Sequence, residues 1–212
     1  NFILVLSHDE VVHLKCSMLG KMPGDREDKF ANLKLAYAYM CGHPGKKLLF
    51  MGQEFGQWNE WSEKRALDWY LLEDDSHKEL KDFTKACLIL NKKYRCLYET
   101  DYSPEGFRWI NANDKDNSVF SFIRISPDKK RHLLFVFNFT PVERPNHRIG
   151  VPVKGKYKLV LGDDMKNQKK TLTSVRGECD GYKESLLIDL HRYGIAVYEF
   201  NGDVNAHKPT KI

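Results

Sequence analysis

The sequence predicts an α/β segment joined to an all-β domain. Two short apolar runs, at residues 2–6 and 48–51, are each followed by a helical pattern, which marks βα units. Near residue 100 the texture changes to short β-type runs separated by turn residues. The length of 212 residues accommodates both parts. The expected boundaries are 1–100 for the α/β part, 101–202 for an antiparallel β-sandwich and 203–212 for a flexible polar tail.

The elements follow in order. Phe2 to Leu6 is continuously apolar, as in a strand covered on both faces. Proteins seldom begin inside a core strand, and no Met, cap or linker precedes this one, so the sequence is expected to be a fragment of something longer. Met22-Pro23-Gly24-Asp25 is a turn signal. Asp25 is the expected N-cap of a helix over 26–40, with Phe30, Leu33, Leu35, Ala36, Tyr37 and Met40 on its apolar face. Gly42 and Pro44-Gly45 stop it. Leu48–Met51 is the second strand, and 52–56 is a loop. The stretch 57–75 is rich in Trp and acidic residues without a sustained period, and reads as loop with short helical turns. Residues 76–94 are helical, with Leu80, Phe83, Ala86, Cys87, Leu90 and Tyr94 at helical spacing.

Strands linked by crossover helices belong to a parallel sheet buried by helices. Two strands cannot hold such a sheet alone, and a (β/α)8 TIM barrel takes ~250 residues. Residues 1–100 are therefore expected to be the last two βα units of a barrel, with Phe2–Leu6 paired in parallel beside Leu48–Met51. Beyond them, strands are expected over 107–110, 118–125, 132–138, 148–151, 157–161, 184–190 and 196–200.

Composition narrows the function classes. Hydrophobic residues make up 42% and charged residues 30%, as in a globular rather than a disordered chain. The net charge of +5 comes from scattered basic pairs, and the densest cluster, Lys129-Lys130-Arg131 after Ser126-Pro127-Asp128, reads as a hairpin tip. Nucleic-acid binding needs basic residues gathered on one face and is not expected. No apolar run is long enough to span a bilayer as a helix, so no membrane partner is expected. Five cysteines without a Cys-x-x-Cys spacing favour reduced thiols in a cytoplasmic protein. The Asn138-Phe139-Thr140 sequon is read as coincidental.

In a (β/α)8 barrel, reactive residues lie just past the C-terminal ends of the strands. His8 and Asp9 stand there after the first strand, and Glu54 after the second. His8 and His13 do not make a zinc site: the metalloprotease pattern His-Glu-x-x-His sets its histidines four apart, and here Asp9 is inserted after His8, which makes the spacing five. No metal and no cofactor is expected. Trp58 and Trp61 have two open readings, as sugar-stacking platforms or as anchors of a long loop. Trp69 and Trp109 are expected to be packed.

Ser7-His8-Asp9-Glu10-Val11-Val12-His13 resembles the motif after the seventh barrel strand of the glycogen (1,4-α-glucan) branching enzymes of the α-amylase superfamily. Met22-Pro23-Gly24-Asp25, Lys29-Phe30-Ala31-Asn32-Leu33, the run from Pro44 to Phe55, Leu67-Asp68-Trp69 and Asn138-Phe139-Thr140-Pro141 are similar to that family as well, in the right order. The resemblance implies a retaining transfer: an α-1,4-glucan is cleaved and the segment passed to a 6-hydroxyl, giving an α-1,6 branch. It implies that Asp9 is the carboxylate that stabilises the transition state, that His8 donates to a sugar hydroxyl, and that the nucleophile and the acid/base belong to earlier strands outside this sequence. The chain alone is then expected to be inactive, and the full-length protein a cytoplasmic monomer acting on glycogen or amylose. Leu14 stands where the family reads Gly, which puts the local loop geometry in question. The reading set against this one is a non-catalytic glucan-binding or structural module.

Overall fold

A computed structural model describes residues 6–128 and 130–206. The chain divides into two compact units, Asn1–Ile89 and Leu90–Ile212.

The first unit is helical. A short helix, α1 (Met18–Lys21), precedes α2 (Arg26–Gly42), and α3 (Asp75–Lys93) begins in this unit. Asp25 caps α2 as its sequence position requires: its carboxylate accepts from the Asp28 N–H at 2.9 Å. The helix ends at His43, whose extended backbone precedes Pro44. Leu33 and Tyr37 of α2, Leu19 of α1 and Leu80 of α3 pack into one core with Val11, Met18 and Phe30. Gly56 sits against this core with φ +71, and a side chain there would meet Leu80 Cδ2 at 2.7 Å. Of the run Phe2–Leu6, only Leu6 is among the described residues. The strand expected over Leu48–Met51 does not form among the described residues, and Leu48 and Met51 are 42% and 51% exposed. A strand exists through its ladder to a neighbour, and no described residue of this unit supplies one.

The second unit is all-β. Its strands are β1 (Phe107–Asn111), β2 (Val119–Arg124), β3 (His132–Asn138), β4 (Arg144–Val151), β5 (Lys156–Gly162), β6 (Thr171–Thr173), β7 (Val175–Cys179), β8 (Tyr182–Leu190) and β9 (Ile195–Phe200). They form a six-stranded sheet in the order β1-β2-β3-β9-β5-β6 and a three-stranded sheet in the order β4-β8-β7. Every pairing is antiparallel. Alternation along β5 and β8 turns Tyr157, Leu159, Leu186, Ile188 and Leu190 inward, where they meet Leu134, Val136 and Tyr198 of the larger sheet. β3 differs, being buried along its whole length. Leu134 and Val136 enter the sandwich core. Phe135 and Phe137 lie on the opposite face, where Phe135 stacks on Phe122 at 5.1 Å. Trp109, expected in the core, is 37% exposed and packs edge-on to Phe107 and Phe122 at the edge of that aromatic cluster.

Several polar groups inside this unit are paired. Arg124, fully buried, donates to Asp101 Oδ1 at 2.6 Å and to the Gly106 carbonyl at 3.3 Å. Asn138 of the sequon is buried, and its Nδ2 donates to the Val142 and His191 carbonyls at 2.7 Å each, so the amide is occupied. The hairpin tip between β2 and β3 is set by Asp128, which accepts from Ser126 Oγ and the Lys130 N–H. The tail expected to be loose from residue 203 is fastened at first: Val204 is fully buried, and Arg108 donates to its carbonyl at 2.8 Å and to Asn205 Oδ1 at 2.6 Å. One apolar side chain in a polar stretch found a place in the core. Residues 207–212 lie outside the described region.

Candidate functional site

His8, Asp9 and Glu10 form one turn of 3-10 helix directly after Leu6-Ser7. The turn is closed by the Val11 N–H, which donates to the His8 carbonyl. Asp9 is held from two sides: Ser7 Oγ donates to Asp9 Oδ2 at 3.2 Å, and Lys15 Nζ donates to the Asp9 carbonyl at 2.8 Å. His8 Nε2 lies 3.3 Å from Asp9 Oδ1, and their side chains are 56% and 66% exposed. A histidine donor and a carboxylate acceptor therefore stand side by side at the surface, open to a ligand's hydroxyls. Glu10 is turned away, its carboxylate 3.4 Å from Lys21 Nζ.

An aromatic line leads away from this pair. His8 packs on Phe50 at 5.9 Å, and Phe50 meets Trp61 edge-to-face at 5.1 Å. The Trp61 N–H donates to the Val11 carbonyl at 3.0 Å, and Glu60 Oε1 accepts from the Lys15 N–H at 2.8 Å, which ties the 57–61 loop to the 8–15 loop. That loop is braced by Gln57 and Asp68: Asn59 Nδ2 donates to Asp68 Oδ2 at 2.7 Å and the Asp68 N–H donates to Gln57 Oε1 at 3.0 Å. Trp61 is partly buried against the helical core.

Trp58 belongs to a different cluster. The Arg26 guanidinium lies over its ring at 5.7 Å and over Phe30 at 5.5 Å. Phe30 and His77 meet it edge-on at 6.1 Å and 6.0 Å. His77 is fully buried, with Nδ1 on the Phe55 carbonyl at 2.7 Å. That bond fixes the proton on Nδ1 and leaves Nε2 without a partner among the described residues. One face of Trp58 is thus taken by a cation, which favours the loop-anchor reading over a sugar platform. The arrangement was hidden in the sequence because Arg26 and Trp58 are far apart along the chain. Trp69, expected to be packed, is 55% exposed and packs on Phe55 at 5.2 Å. Glu54 contributes its carbonyl, which accepts from Thr84 Oγ1 at 3.2 Å.

The described residues contain no group of three or more metal-ligating side chains. No helix among them is long and apolar enough to cross a membrane.

The family described as "Alpha amylase, C-terminal all-beta domain" matches residues 109–201. A 1,4-alpha-glucan branching enzyme GlgB from Butyrivibrio fibrisolvens is 50% identical over 207 residues, covering 94% of this chain and 32% of that protein. The chain belongs to the 1,4-alpha-glucan branching enzyme family. Branching enzymes GlgB from Aquifex aeolicus (strain VF5) and Bacillus cereus (strain AH187) are 50% and 43% identical, over 78% and 93% of this chain and 26% and 32% of theirs. The chain spans about a third of the length of the first of these relatives. In fold it is similar to the crystal structure of Bacillus licheniformis trehalose-6-phosphate hydrolase (TreA), with a TM-score of 0.57 and 13% identity, covering 93% of this chain and 43% of that one.

The loop after Asp9 has unusual backbone geometry. His13, Leu14 and Cys16 have φ of 59°, 65° and 68°. Leu14 adopts the left-handed conformation that glycine would take freely, and its side chain is 98% exposed. So exposed, the leucine side chain has little packing to offset the strain of that turn.

Proposed function

We propose that this chain serves α-glucan branching: as part of a longer cytoplasmic protein, it contributes to cleaving an α-1,4-glucan and transferring the segment to a 6-hydroxyl with retention. The observation that carries the reading is the exposed His8–Asp9 pair, in a chain half identical to branching enzymes over most of its length. In this reading Asp9 accepts hydrogen bonds from ring hydroxyls and stabilises positive charge as it develops at the anomeric carbon. His8 donates to a neighbouring hydroxyl, and Trp61 borders the sugar. Contacts that strengthen as charge develops raise the rate rather than the affinity alone. A retaining mechanism needs two further carboxyl groups ~5–5.5 Å apart. Glu10 is engaged by Lys21 and does not fill either post. The nucleophile and acid/base are supplied by barrel strands outside this sequence, with residues 1–100 forming the last two βα units. The likeness in fold over 93% of the chain supports an arrangement in which both units belong to one larger protein.

The experiment is an amylose–iodine absorbance assay. The 212-residue chain alone is expected to leave the absorbance unchanged. In the full-length protein, Asp9→Asn is expected to lower turnover by about 10²–10³-fold with the melting temperature preserved. Near wild-type turnover would remove Asp9 from the reacting set, and robust branching by the chain alone would overturn the assignment of roles. The second reading, a non-catalytic glucan-binding module, draws on the β-unit, where the family match falls.

A further inference from the structure

At the rim of the β-sandwich, the turn after β5 and the end of β8 enclose a recess of ≈ 160 Å³. That is room for about five water molecules. Lys169, Asn167, Asp189 and His191 line its sides, and Leu172 and Tyr198 form its floor. Tyr198 lies on β9, opposite Leu134 of β3, with its ring in the sandwich core. It is 2% exposed, yet its hydroxyl makes no hydrogen bond to any described residue. Its oxygen is not among the enclosed polar atoms left without a partner, so it meets solvent at the recess. Burial pushes the Tyr198 phenol's pKa up, and the Asp189 and Asp163 carboxylates push it further.

The lining is polar but balanced in charge. Lys169 Nζ is 3.5 Å from Asp189 Oδ2, and His191 Nδ1 is 2.7 Å from Asp163 Oδ2. Each cation already has its anion, so the recess holds no surplus positive charge for a phosphate or carboxylate. What remains is a mixture of donors and acceptors around an apolar floor: an ammonium, an outward imidazole Nε2, a carboxylate and the phenol. A pyranose presents the matching surface, hydroxyls around its edge and C–H groups on its face.

We infer that the recess at Tyr198 is a sugar subsite of the β-unit, taking one neutral glucosyl residue of an α-glucan chain, with the Tyr198 hydroxyl as its deepest hydrogen-bonding group. The choice of glucose among neutral sugars rests on the branching reading above; the site itself rests on the recess. It would hold a glucan chain apart from the bond being transferred.

The test is an amide-shift NMR titration of the 212-residue chain with maltotetraose. The expected result is weak binding, on the order of 1 mM, with shifts concentrated at residues 167–172 and 189–192. Tyr198→Phe keeps the ring and removes the hydroxyl. It is expected to weaken binding about two- to ten-fold while the melting temperature changes little, because the hydroxyl has no protein partner to lose. His191→Gln is expected to weaken binding as well. Unchanged affinity in Tyr198→Phe, or no shift at residues 167–192, would overturn the site. Inorganic phosphate moving the same amides at lower concentration than maltotetraose would overturn the neutral-sugar class. None of these outcomes touches the branching reading, which stands or falls on the Asp9→Asn turnover.

Discussion

The two units of this chain satisfy their backbones in different ways. Leu90–Ile212 closes its hydrogen bonds in two antiparallel sheets and buries a continuous core between them. Asn1–Ile89 relies on α2, on part of α3 and on loops pinned by single side-chain bonds, and it leaves Leu48, Met51, Leu88 and Ile89 more than 40% exposed. The candidate catalytic residues sit on the second kind of framework, and the densest packing is in the first. Reactive side chains are commonly placed on loops held by a rigid scaffold, and the left-handed residues beside Asp9 show the strain such a loop can carry. The comparison shows that a unit can have a continuous sheet framework and core and carry none of the proposed transfer chemistry.

The largest expected effect that tests this contrast is in the β-unit. Asp101→Ala leaves Arg124 buried without its carboxylate and is expected to cost about 3–5 kcal/mol in urea unfolding. The double variant Asp101→Leu with Arg124→Met should recover most of that loss, because the pair's net contribution is small once both charges are gone. A single variant as stable as wild type would show that the interior of this unit is wetter than its packing implies.

A smaller effect of opposite sign is expected in the helical unit. Leu14→Gly removes a left-handed leucine, a strain of about 1–2 kcal/mol, against the extra unfolded-state freedom of glycine, about 0.5–1 kcal/mol. The net gain should appear as a rise in urea midpoint at an unchanged slope. A fall would mean that the loop does not hold the left-handed turn in solution.

The smallest effect depends on pH. Hydrogen bonding to Asp163, partly offset by burial, holds the His191 ring above the ordinary histidine range. A raised folded value means the pair's stabilisation is full below about pH 6.5 and is lost as pH rises through the folded value. The melting-temperature gap between wild type and His191→Gln should therefore be wider at about pH 5.5 than at about pH 8.5. A gap that widens with rising pH would contradict the pairing.

Much of the fold could be read from the residues. The cap at Asp25, the stops after Gly42 and the apolar spacing of α2 and α3 fixed both long helices to within two residues. The hairpin of β2 and β3 was visible from its two apolar runs and the turn between them. β6 and β7 were missed because they are short, polar edge strands, Thr171–Thr173 and Val175–Cys179, whose pairing comes from neighbours rather than from their own pattern. At Leu48–Met51 no strand forms among the described residues: an apolar run predicts burial, but only a partner makes a strand, and most of the expected partner, Phe2–Leu6, lies outside the described residues. At the candidate site, His8 and Asp9 were legible as a motif. The cation over Trp58 was not, nor was the unpartnered hydroxyl of Tyr198, which in sequence is one more inward residue of an alternating strand.

The complete burial of β3 has a consequence for biosynthesis. On the ribosome, His132–Asn138 emerges well before β9, which closes its second edge. At 5–20 residues per second, the interval between Asn138 and Ile195 lasts roughly 3–11 seconds. Throughout that time a nascent chain displays an apolar ribbon, greasy on both sides and open along one edge, so the yield of this protein in a crowded cell depends on how well that ribbon is shielded until translation catches up.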